Sequence, residues 1–464
     1  MGFPPIRDKA ANRRGTVHGC RAGNDPGKRV LNLRMLVPNL SHILLCSIVA
    51  ASIVLMLVRP RGVREVYWVG GGAALLVVLR LIPLRLAGHA IAEGSDVYLF
   101  LIGMMLLSEL AREHGVFEWL SAAAVRRAQG SCSLLFTLIY SAGTVVTIFM
   151  SNDATAVVLT PAILAAVRKA KVEPLPYLFI CALIANAASF VLPVSNPANL
   201  VVFHDGMPPL GRWLAAFGVP SLVSIAATYA VMWFIFRKEL RSTIDHEVEA
   251  KPLTADGKLV LAGLAAVSAV LLAASALGWD LGLPTCLAAL AVTAAVSIKA
   301  RSNPVKLARQ IIREISWATI ALVACLFILV DAVESVGALK VTQGWLGAAE
   351  KLPNWLGALA ASFAVGVGNN LVNNLPLGLI AGATLHAAHV KGLVANSVLI
   401  GVDLGPNLSI TGSLATILWL LALRREGLDV GFWRFLRVGA VVMPVALASA
   451  MGAAILMRVL FGIS

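Results

Sequence analysis

Ser151-Asn152-Asp153-Ala154-Thr155 lies in the middle of an apolar run, and Asn369-Asn370-Leu371-Val372-Asn373-Asn374 does the same later in the chain. Each knot is followed by a second polar patch. After the first comes Asn186 to Asn199; after the second come Asp403-Leu404-Gly405-Pro406-Asn407 and Thr411-Gly412-Ser413. Amides and carboxylates at bilayer depth are costly unless they line a site enclosed by protein. A hairpin-like knot plus a Gly/Pro-broken helix, once in each half, marks the binding site of a secondary transporter.

Composition agrees. Of 464 residues, 59% are hydrophobic and 13% charged, and the mean hydropathy is +0.84. Soluble domains carry about 25% charged residues. A net charge of +14 would point to nucleic acid in a soluble chain. Here the basic residues fall in short loops between apolar runs, so topology accounts for them and no nucleic-acid partner is expected. Cys20, Cys46, Cys132, Cys181, Cys286 and Cys325 are scattered, with no CxxC or Cys/His cluster. Neither a disulfide framework nor a structural metal is expected, and no cofactor.

The expected fold is all-α and polytopic. About ten transmembrane helices fall in two inverted repeats, each with a re-entrant hairpin and a discontinuous helix. The first repeat covers 36–236, with its hairpin at 134–166 and its broken helix at 178–203. A cytoplasmic linker, 237–258, precedes the second repeat, 259–464, with hairpin 355–390 and broken helix 394–422. With residue 36 outside, about 23 Lys/Arg lie inside against about 7 outside, the bias expected of an inner-membrane protein surrounded by lipid. Residues 1–35 are polar and basic and read either as a disordered tail or as sequence upstream of a start at Met35. Segments 112–133 and 337–354 precede the two hairpins at equivalent places, and Trp119, Trp345 and Trp355, with mixed charges around them, suit helices lying in the interface.

In the first hairpin the chain turns at Asn152-Asp153 and restarts as a helix, exposing unpaired N–H groups. The plainer reading is a helix cap at Asn152 and an ion pair at Asp153. Pro193 and Pro197 cannot both sit in an intact helix, so carbonyls are freed beside Ser195, Asn196 and Asn199. A simple proline kink is the alternative. Asn373 and Asn374 align with Ser151 and Asn152, whereas Asn369 and Asn370 also suit interhelical bonding. The candidate solute-binding set is Ser151, Asn152, Ser195, Asn196, Asn199, Asn373, Asn374, Thr411 and Ser413. Asp153 and Asp403, the deepest acids, are the candidate proton carriers. Glu109 is expected to pair with Arg112, and His386 with His389 lacks a third ligand for a metal.

Phe149-Met150-Ser151-Asn152-Asp153 with Leu159-Thr160-Pro161, and Gly115-Val116-Phe117-Glu118-Trp119 before them, resemble the arsenical-pump membrane permeases of the ArsB type. Asp403-Leu404-Gly405-Pro406 with Gly412-Ser413-Leu414-Ala415-Thr416-Ile417-Leu418-Trp419-Leu420 is the most specific part of the match. The resemblance covers the chain from about residue 36 and places it in the ion transporter superfamily. It implies export of arsenite and antimonite, driven by proton exchange or by a separate ATPase subunit. The chain departs from many relatives at Asn186, where they carry Asp, and at Val402, where they carry Cys. Sister families export silicic acid or exchange sodium for protons.

Other classes fit less well. An ATPase within this chain would need a Gly-x4-Gly-Lys-Ser/Thr run, which is absent. A membrane prenyl-transferring enzyme would need paired Asp-rich magnesium motifs, and Asp153 has no acid within four residues. A passive channel would need neither coupled acids nor two hairpins.

Overall fold

The computed structural model describes residues 26–204, 206–244, 252–299, 313 and 315–462, with side chains from residue 40 onward. It divides into a short N-terminal unit, Met1–Leu44, and a body, Leu45–Ser464. Of the basic extension 1–35, residues 1–25 lie outside the described residues, and helix starts at Pro26. Part of the linker, 245–251, also lies outside them.

Among the described residues, eight helices are long and apolar enough to cross a bilayer. A ninth span is made by Leu84–Glu93 with Ser95–Glu113, bent by 47° at Gly94. Two of the eight, Cys132–Phe149 and Asn354–Val372, are the outgoing arms of the hairpins. The return helices Thr160–Lys169 and Asn374–Ala388 pack against Val116–Arg127 and Leu339–Glu350, the short helices that precede the outgoing arms. The chain therefore doubles back at each knot, as expected. With those arms set aside, the two broken helices and the shorter Glu65–Val78 complete the expected ten crossings. That second span stops early because Arg80 takes a left-handed φ of 54° and Pro83 follows.

Each half repeats one order of elements: three crossings, an interfacial helix, a hairpin, a broken helix and a closing span. Packing between the halves is reciprocal. Ser95–Glu113 packs on Gly282–Lys299 just as Trp317–Ser335 packs on Glu65–Val78, and the closing spans Val219–Ile235 and Phe432–Phe461 pack on each other. The return arm of each hairpin contacts the far arm of the other half's broken helix: Asn374–Ala388 on Pro197–Val202, and Thr160–Lys169 on Leu414–Arg425. A two-fold relation between halves produces this pattern. At its centre, Leu175–Ala187 is buried from Pro176 to Ala187. On the perimeter Val54, Leu222, Phe234, Leu287, Val459 and Leu460 are exposed, which in a bilayer means facing lipid rather than water.

Candidate functional site

Four polar elements meet where the hairpin tips approach the two breaks. Asn152, Asp153, Asn196 and Asn374 line one small space of about 10 Å³, with Leu101, Pro197, Thr319, Leu375, Leu414 and Ala415 closing it. Asn374, Pro197 and Leu414 are first residues of their helices, so three helix N-termini border this space. Among the described residues, no Lys or Arg lines it.

The tips are built alike. Ser151 caps the first return with its Oγ accepting from Ala154 N at 3.3 Å. Asn373 caps the second through Oδ1, accepting from Leu375 N at 3.5 Å. Its backbone sits at φ 80°, ψ 152°, a region that costs about 1–3 kcal/mol for a residue with a side chain. Two bonds hold it there: Asn373 N to Asn369 O at 2.7 Å and Nδ2 to Thr411 O at 3.1 Å. The first return opens as a π-helix, Ala154–Leu159, before the α-helix that carries Pro161. Such bulges recur at functional sites.

The breaks are also matched. Asn196 caps Pro197–Val202 by accepting from Ala198 N at 3.0 Å; Ser413 caps Leu414–Arg425 by accepting from Thr416 N at 3.1 Å. In this register Asn186 pairs with Asp403 and Asn199 with Thr416. Asn196 Nδ2 donates to Asp403 Oδ1, and Ser413 Oγ donates to Asn186 Oδ1 at 3.4 Å, so each cap reaches into the other half. Asp403 is fully buried and, among the described residues, its Oδ2 has no hydrogen-bond partner. The nearby Ser189 hydroxyl donates to the Asn186 carbonyl at 2.7 Å. Asp153 is half-buried and has no hydrogen-bond or ion-pair partner among the described residues, so the expected alternative of an ion pair is not what the structure contains. Its counterpart at the second tip is Leu375.

Not every candidate faces the space. Ser195 Oγ accepts from Leu192 N at 3.2 Å and donates to Ile148 O at 2.9 Å, tying the break to the outgoing arm. Thr411 donates to Asn370 O at 3.0 Å. Asn199 Nδ2 lies 2.9–3.3 Å from the carbonyls of Ser189, Leu192 and Pro193, which the break has released. Asn369 and Asn370 bond the second hairpin to the second break, at Gly401 O and Val402 O for one and Gly405 O for the other. They are the interhelical bonds the spacing allowed for. Asn199→Leu is expected to lower stability by about 2 kcal/mol, since buried acceptors lose their donor. Thermal unfolding in detergent measures this; an unchanged melting temperature would contradict it.

Sequence reading missed the Asn186–Asn407 bond, Nδ2 to Oδ1 at 3.0 Å, with Asn407 Nδ2 returning to Leu183 O at 3.1 Å. Both side chains are fully buried and join the two broken helices. The signal available was their position in the two matching polar patches.

A second space beside the tip of the second hairpin holds Asn373, Leu375, Leu414, Arg59 and Glu65. Arg59 pairs with Glu65, and burial lowers its guanidinium to about 10, so it stays charged at neutral pH. Two larger chambers of about 290 Å³ each share Glu93 and His204. Asp331, Glu334 and His386 line one, Asp96 and Asp280 the other. Arg112 Nε donates to Glu109 at 2.7 Å, the expected pair. The rings of His386 and His389 lie 6.5 Å apart. Among the described residues, the only three-residue group with metal-ligand spacing is His89, Glu93 and Asp331, with His89 and Glu93 exposed.

The profile of the citrate transporter family, CitMHS, matches residues 47–403. An arsenical pump membrane protein of Yersinia enterocolitica is 25% identical over 421 residues, covering 86% of this chain and 95% of that protein. An arsenical pump membrane protein of Escherichia coli K12 gives the same figures. The crystal structure of the Alcanivorax borkumensis YdaH transporter, described as having an unusual topology, superposes with TM-score 0.54 at 15% identity. It covers 81% of this chain and 87% of that one.

Proposed function

The chain belongs to the citrate transporter family CitMHS, and from that premise we propose that this multi-pass membrane transporter expels arsenite and antimonite in exchange for protons. The observation that carries the choice of solute is the donor balance of the central space. Asn152 Oδ1 and Asn374 Oδ1 are buried acceptors with no donor among the described residues, beside the unpaired carboxylate of Asp153. A neutral trihydroxide brings O–H donors and no charge, and answers that need. Citrate brings carboxylates, which would meet Asp153 without a cation among the described residues of the lining. The same orphan oxygens suit sodium, so a sodium/proton exchanger is the second reading; silicic acid shares the hydroxyl chemistry.

Protons enter through Asp403. Its Oδ1 is engaged by Asn196, while Oδ2 has no donor, so a proton on Oδ2 relieves a buried anionic oxygen and breaks no hydrogen bond. Inverted repeats packed reciprocally give two equivalent arrangements, in which the acid faces either side in turn.

Everted vesicles test the solute. Radiolabelled arsenite should accumulate under an imposed proton gradient without nucleotide or sodium, and unlabelled antimonite should compete. Uptake that needs sodium favours the second reading, and uptake that needs ATP favours a separate ATPase subunit. Replacement of all six cysteines by serine or alanine should preserve uptake. The five described cysteines are unpaired, and none lines the central space. Thiolates are strong ligands for trivalent arsenic, so a thiol-capture route would need several converging; loss of uptake by a cysteine-free protein present in the membrane would sink the hydroxyl-binding reading.

A further inference from the structure

We propose that Asn196 is the link through which the charge of Asp403 sets the affinity of the central space for its solute, an inference that rests on Asp403 being the coupling acid. Asp403 does not line the central space. Asn196 does, and the same side chain donates to the Asp403 carboxylate. No other residue of that lining bonds to Asp403. Asn196 Oδ1 is committed to Ala198 N, so the amide plane is fixed at both ends while Asp403 is ionised.

The ionisable groups around Asp403 do not offer another route. The helices packed on Leu393–Leu404 are Leu175–Ala187, Pro197–Val202, Asn354–Val372, Asn374–Ala388 and Phe432–Phe461. They carry Tyr177, Cys181, His386, Arg434, Arg437 and Arg458. None of these bonds to Asp403, and neither does Asp153, which lines the central space itself.

The sign follows from the chemistry. A hydrogen bond to an ionised carboxylate is roughly twice as strong as one to a neutral acid. With Asp403 ionised, Asn196 is held in one orientation and presents its remaining N–H toward the space. A proton on Asp403 weakens that hold, the amide loses its fixed aim, and the solute is released. Proton and solute therefore oppose each other at equilibrium, which is the condition exchange requires. Linkage makes the effect reciprocal.

Asn196→Ala removes the amide that donates to Asp403, and the cap on Pro197–Val202 with it. A serine would not serve, because Ser413, the counterpart of Asn196, reaches Asn186, the counterpart of Asp403, through its hydroxyl. Equilibrium binding of radiolabelled antimonite to purified protein is measured between about pH 5.5 and 8.5. Wild-type affinity should weaken toward acid with a slope approaching about tenfold per pH unit, that of one linked proton. Asn196→Ala should bind more weakly with a flat profile, and Asp403→Asn should be flat as well. An alanine variant that keeps the wild-type slope overturns the role of Asn196, because a cap defect alone shifts affinity equally at every pH. Absence of saturable binding by the wild type would instead overturn the choice of solute.

Discussion

Asp403→Asn is expected to reach the membrane at wild-type abundance and to show no proton-driven efflux. The substituted amide keeps an oxygen for Asn196 Nδ2 and removes the charge of a fully buried group whose Oδ2 has no partner. Stability should hold or rise by about 1–3 kcal/mol near neutral pH, because leaving a buried charged acceptor unsatisfied is costly. Transport fails for a different reason, since no proton can be loaded. Gradient-driven uptake into vesicles should fall to the level of vesicles without the protein. Wild-type, pH-dependent efflux by this variant would remove Asp403 from the mechanism and leave Asp153 as the carrier.

Gly405→Ala should instead remove the protein from the membrane. A Cβ at Gly405 would meet Asn369 Nδ2 and Gly366 Cα, each at 2.6 Å, with the Gly366 carbonyl closer still. Two of those three atoms are backbone and cannot swing aside, and the third belongs to the amide that bonds Gly401 O and Val402 O. Overpacking of this kind costs about 1–3 kcal/mol or more. Here it also separates the second hairpin from the break that carries Asp403. Gly366→Ala supplies the contrast: its Cβ would find Leu447 Cδ2 at 3.3 Å and Gly405 Cα at 3.6 Å, and a leucine methyl can give way. Abundance after detergent extraction should fall steeply for Gly405→Ala and modestly for Gly366→Ala. Equal losses would contradict the argument.

The tips and breaks were legible in the sequence because amides, acids and prolines in an apolar run have few places to go. Ser151 and Asn373, aligned by position alone, turned out to cap equivalent return helices. The separate role of Asn369 and Asn370 followed from their helical spacing. What stayed hidden depends on distant contacts. Asn186 and Asn407 find each other only when the halves pack, and Leu101 and Thr319 carry no mark of the space they close. Nor does an apolar run reveal that Ala154–Leu159 widens into a π-helix. The commitment of Asn199 to the carbonyls of its own break, and of Ser195 to Ile148 O on the outgoing arm, was equally out of reach, since a polar residue beside a break reads the same whether it holds the protein together or faces a solute.

Exchange of arsenite for protons by this chain alone is the central claim, and purified protein in liposomes tests it most directly. Vesicles are loaded with arsenite and a pH-sensitive dye and diluted into arsenite-free buffer, without nucleotide or sodium. Outward movement of the neutral solute should draw protons inward and acidify the lumen, and vesicles containing Asp403→Asn should show no acidification. Arsenite that leaves through the wild-type protein with no change in lumenal pH would contradict the account.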